Sequence, residues 1–158
     1  MKNRILVYAT LLFSLALQLF ALRYLRVFPD LALMMAVFAG IFLGSFEGVA
    51  VGLAAGFLRG CFSSGTAGLD MGTFAVVAYA SSVFSSMFYK RNLLFDMISV
   101  LAAAIFIFSA QALYFSVLYG VDVYVMSVLK ESLRQILFTV LAVPFIFPVW
   151  CAFLKVEE

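Results

Sequence analysis

Long uncharged runs separated by short polar breaks make up nearly the whole chain. Ile5–Leu22, Met71–Tyr89, Met97–Tyr119 and Ile136–Leu154 contain no Asp, Glu, Lys or Arg, and Leu31–Leu58 contains only Glu47. A helix needs roughly 20 apolar residues to cross a bilayer, so each charge-free run predicts a spanning helix. The 28 residues of Leu31–Leu58 pose a different problem. As one straight helix they would reach about 42 Å, against a hydrocarbon core near 30 Å. Glu47 would then sit at mid-membrane, which is costly for an unpaired charge. Gly44-Ser45-Phe46-Glu47-Gly48 reads instead as a turn. The run becomes a closely packed hairpin of two short spans, for about six spans in all.

The same region carries the glycines. Nine of the ten lie between Pro29 and Gly72, and six of these are Gly40, Gly44, Gly48, Gly52, Gly56 and Gly60. Residues four apart share one face of a helix, so these positions form a stripe without side chains. Another helix backbone can approach closely along such a stripe. It serves either packing within the chain or contact with a partner or ligand.

The breaks between runs add detail. Met1-Lys2-Asn3-Arg4 is a basic start, but the run after it lacks a small-residue cleavage site and leads into Arg23 and Arg26. It reads as a retained span rather than a signal peptide. Gln18 within it is expected to hydrogen-bond to a neighbouring helix. In the loop Arg23–Asp30, Tyr24 and Phe28 suit the membrane interface, and the arginines reach headgroups. Pro29 fits the first turn of the following helix, and Asp30 caps it with a negative charge at the positive end of its dipole.

Arg59–Asp70 reads as a Gly/Ser-rich loop whose last residue, Asp70, caps the fourth span. Ser81, Ser82, Ser85 and Ser86 are small packing positions in that span, and Lys90-Arg91-Asn92 ends it. Gln111, inside the fifth span, is expected to bond to another helix. After the break at Gly120-Val121-Asp122, Val123–Ile136 is amphipathic, with Ser127, Lys130, Glu131 and Arg134 on one face. It lies at the interface or extends the last span, with Lys130 and Arg134 available to a partner or to anionic headgroups. Pro148, four residues after Pro144, should kink the final helix.

Composition agrees with the pattern. The chain of 158 residues is 66% hydrophobic and 11% charged, with a mean hydropathy of +1.18. Soluble domains run near half apolar and a quarter charged. The expectation is an all-α integral membrane protein, a compact bundle forming one transmembrane domain over residues 1–158. A net charge of +2 is too small and dispersed for nucleic acid.

Catalytic chemistry is missing from the sequence. There is no histidine, and Cys61 and Cys151 form no metal or redox motif. The carboxylates are not spaced as an acid/base pair, the serines lack an activating base, and no phosphate-loop motif occurs. No catalytic residue, metal or cofactor is therefore expected, and the chain is not expected to be an enzyme. Charge does not orient it. Lys2, Arg4, Lys90, Arg91 and Lys155 fall on one side of a six-span arrangement, and Arg23, Arg26, Arg59, Lys130 and Arg134 on the other. The positive-inside rule needs an excess of basic residues on one side, and here the two sides tie.

A first span, Pro29-Asp30-Leu31, glycines in steps of four, Gly56-Phe57-Leu58 and Gly65-Thr66-Ala67-Gly68-Leu69-Asp70 follow one another in that order. Together they resemble the MreD family of rod-shape-determining inner-membrane proteins. The specific part of the likeness is confined to Pro29–Gly72, with Pro29, Asp30, Gly68 and Asp70 as its motif and cap residues. Members usually have an acidic residue shortly after the Gly-Phe-Leu segment, where this chain has Arg59-Gly60. The resemblance implies a non-catalytic subunit of the cell-elongation machinery. Its partner would be an MreC-type single-span protein with a periplasmic coiled coil. The MreB filament and the RodA and penicillin-binding-protein synthases would be its neighbours. The family is similar in helix layout to the substrate-binding S-components of energy-coupling-factor vitamin transporters. That likeness implies a six-helix bundle with both termini in the cytoplasm, and it supplies the alternative function of binding a small molecule.

Overall fold

The computed structural model describes residues 2–24, 28–62, 67–87, 93–119 and 122–154. The expected turn at Lys90-Arg91-Asn92, the middle of the 59–70 loop, the break at Gly120-Val121, Arg26 and the C-terminal tail lie outside them. So do the side chains of Arg23, Lys130 and Glu131. The described chain is all-helical: α1 (Lys2–Tyr24), α2 (Leu31–Leu43), α3 (Ser45–Phe62), α4 (Ala67–Met87), α5 (Leu93–Tyr119) and α6 (Asp122–Leu154). Two stretches, Leu93–Val117 of α5 and Ser132–Leu154 of α6, are long and apolar enough to cross a membrane.

The bundle is arranged around α2. Every residue from Asp30 to Ile41 is buried, and α2 touches all five other helices. Its 13 residues make a helix of about 20 Å, shorter than a hydrocarbon core of roughly 30 Å. The surrounding helices bury it from Asp30 to Ile41, and its C-terminal end leads into the exposed Gly44. Phe38 anchors this centre. Its ring stacks on Phe42 at 4.3 Å and meets Phe147 and Trp150 of α6 edge-on at 5.4 and 5.5 Å.

The hairpin between α2 and α3 turns at Gly44 alone. Gly44 has φ 89°, a left-handed conformation that favours glycine, and its carbonyl accepts from the Gly48 N–H at 2.8 Å. The expected turn over 44–48 is thus much tighter. Glu47 lies in the first turn of α3, where the positive end of the helix dipole favours its charge.

Other boundaries also differ from the sequence reading. Helix α3 continues through Arg59 and Gly60 to Phe62, and α4 starts at Ala67. Most of the expected 59–70 loop is therefore helical. Asp70 accordingly sits inside the first turn of α4 rather than capping it. Pro29 precedes the cap residue of α2 and is not in its first turn. Val123–Ile136 and the final span form one helix that runs through both Pro144 and Pro148. Asp30 bonds to Gln18, late in α1, and to Thr139, well before the end of α6, so the start of α1 and the end of α6 share the opposite end of the bundle.

Candidate functional site

The other end of the bundle holds a buried polar layer that joins all six helices. Asp30 is at its centre. As the N-cap of α2, its Oδ1 accepts from the Leu33 N–H at 3.1 Å and from Gln18 Nε2 of α1 at 3.5 Å. Gln18 returns the contact, its Oε1 accepting from the Ala32 N–H at 3.3 Å. Only one orientation of that amide satisfies both bonds. Two of the amide donors left open at the start of α2 are thereby met. The Asp30 N–H donates to Thr139 Oγ1 of α6 at 2.9 Å, and Thr139 donates to the Gln135 carbonyl at 2.7 Å.

Charge enters from α3. Arg59 Nη1 stands 3.0 Å from Asp30 Oδ2, with the Arg59 side chain 20% exposed and that of Asp30 6%. The guanidinium also lies over the Phe74 ring of α4, 5.2 Å from its centroid, a cation–π contact. Nη1 is not aligned for a hydrogen bond to the carboxylate and has no hydrogen-bond acceptor among the described residues. The pair is therefore held by charge and proximity. One turn before Phe74, the fully buried Asp70 accepts from Gln111 Nε2 of α5 at 3.0 Å.

The sequence identifies Asp30 as a cap and leads to the expectation that Gln18 and Gln111 bond to other helices. Arg59 and Thr139 escape that reading. The Gly/Ser-rich composition of 59–70 puts Arg59 in a loop, although the fourfold glycine spacing continues to Gly60 and carries Arg59 on the same helix. Thr139 has no sequence signal beyond being a polar residue in an apolar run. The layer leaves a crevice of about 40 Å³ among Asp30, Arg59, Gln111, Gln135 and Thr139.

The glycine stripe is used inside the chain. A Cβ on Gly48 would lie 2.6 Å from the Gly40 Cα, and one on Gly52 would lie 2.7 Å from the Phe74 carbonyl oxygen. Cβ atoms on Gly40 and Gly56 would overlap the carbonyl oxygens of Ala78 and Asp70. These four glycines set the spacing of α2, α3 and α4 and present no surface to a partner. Gly44 belongs to the turn, and Gly60 is buried in the last turn of α3. Gly68 has open space around its Cα, as does Gly72.

What faces outward is mostly apolar. Phe13 and Phe20 of α1, Ile105 and Leu113 of α5, and Phe145 and Phe153 of α6 are exposed. An apolar groove of about 620 Å³ runs between α1 and α6, lined by Phe13, Leu17, Phe145, Val149 and Phe153 among others. Arg134 is exposed on α6, while the Lys130 side chain lies outside the described residues. Compared with models of known families, with curated proteins and with solved structures, the chain matches none.

Proposed function

We propose that the chain is a non-catalytic subunit of the bacterial inner membrane that crosses it six times with both termini in the cytoplasm. In this reading it positions an MreC-type single-span partner within the machinery that builds lateral peptidoglycan. The MreB filament and the RodA and penicillin-binding-protein synthases are its neighbours there. One observation carries the reading: Gly40, Gly48, Gly52 and Gly56 pack within the bundle, and Gln18, Asp30, Arg59, Gln111 and Thr139 face one another there. The exterior offers large apolar side chains and the α1–α6 groove. Such a surface suits assembly with another hydrophobic helix, and the groove is where we place it.

The alternative, an S-component-like subunit that binds a vitamin-sized molecule, draws support from the convergence of Asp30, Arg59, Gln111 and Thr139. The space among them counts against it. The crevice measures about 40 Å³, whereas ligand pockets run to roughly 300–1,000 Å³. Depletion of the protein in a rod-shaped host tests the choice. Cells should become round before growth stops, and unchanged cell shape would oppose the assembly reading.

A further inference from the structure

The polar crevice contains an unmet demand. Arg59 Nη1 is buried and has no hydrogen-bond acceptor among the described residues, although Asp30 Oδ2 stands 3.0 Å away. A charged donor in that condition is costly, and the cheapest acceptor that fits a small polar space is water. The crevice has the required character. Asp30, Gln111, Ser132, Gln135 and Thr139 line it together with Arg59, against walls that include Leu33 and Ile107. Buried water needs about two to four polar partners and roughly 10–15 Å³ of accessible volume per molecule. The volume of about 40 Å³ is above that threshold.

We propose that the crevice between Arg59, Gln111, Gln135 and Thr139 is a built water site, in which one molecule accepts from Arg59 Nη1 and others bridge α5 to α6. The water completes the hydrogen bonding that the Asp30–Arg59 pair leaves unfinished. It also lets α5 and α6 close over a charged centre without a direct contact at every polar atom. The α1–α6 groove is the contrast within the same molecule, since apolar walls give water too few partners.

Radiolytic labelling of the full chain in lipid nanodiscs, in isotopically labelled water, tests the site. Hydroxyl radicals formed from bound water oxidise adjacent side chains even when bulk solvent does not reach them. Two matched pairs supply the comparison. Ile107 and Leu33 line the crevice at 3% exposure each, while Ile41 and Leu11 lie away from it at 7% and 1%. Ile107 and Leu33 should be labelled severalfold more than Ile41 and Leu11. Ser132→Leu places carbon in the crevice and leaves Asp30, Arg59 and Thr139 themselves unaltered. In a variant that still elutes as folded protein, labelling of Ile107 and Leu33 should fall to the control level. Equal labelling within both pairs of the unaltered protein, or labelling of Ile107 and Leu33 that Ser132→Leu leaves unchanged, would overturn the proposal.

Discussion

Asp30 and Arg59 meet at 3.0 Å inside the bundle, joining the start of α2 to the last turn of α3, the two ends of the hairpin that are farthest from its turn at Gly44. Closing the hairpin at both extremities fixes how far the two helices slide past each other. The same carboxylate caps α2 and holds Gln18 of α1, so one side chain ties three helices together.

Removing either charge should therefore be costly. Breaking a buried pair commonly costs about 3–5 kcal/mol, because the remaining charge is stranded. The partial exposure of Arg59 places this pair toward the lower end or below it. Asp30→Ala should be worse than Arg59→Met, since it also removes a helix cap worth about 1 kcal/mol. Thermal unfolding of the purified variants in detergent checks the order. The double variant Asp30→Ala, Arg59→Met should lose less than the two singles added together, and a loss equal to their sum would argue that the two residues do not interact.

The glycines should separate into opposite responses. Gly52→Leu forces a side chain against the Phe74 backbone, where overpacking costs roughly 1–3 kcal/mol or more. Gly72 is exposed within α4 with nothing within 4 Å of a built Cβ. Gly72→Ala should accordingly stabilise by roughly 0.5–1 kcal/mol through helix propensity. The melting temperatures of the two variants should move in opposite directions.

Much of this arrangement is legible in the sequence, and the exceptions have physical causes. Charge-free runs locate the helices because lipid and a buried core both exclude charge. Gly44 marks the hairpin because the chain there needs a positive φ. Asp30 reads as a cap because its neighbours in sequence are its partners. The pairing of Asp30 with Arg59, and of Asp70 with Gln111, depends on which helices adjoin, and no local pattern carries that information. The 59–70 segment misleads for another reason. Glycine weakens a helix in water, but Gly52 and Gly56 pack against carbonyls of α4, and the helix they hold in place runs on through Arg59 and Gly60. Pro144 and Pro148 stay inside α6, since neighbouring helices can meet the backbone groups that proline leaves open.

Six crossings are tested by where the two ends of the chain lie. Reporter fusions ahead of α1 and after α6 should report the same side of the membrane, the cytoplasm. Reporters on opposite sides would require an odd number of crossings and would conflict with the hairpin acting as two.

The central claim is that this chain works by assembly, and affinity purification of the tagged protein from its host membranes tests it most directly. The eluate should be analysed for proteins and small molecules together. One abundant companion is expected, a single-span protein with an extracytoplasmic coiled coil. Replacing Phe145 and Val149 in the α1–α6 groove by alanine should remove it, with the Asp30–Arg59 layer and the fold intact. A chain that purifies alone with a vitamin-sized molecule bound would contradict the account.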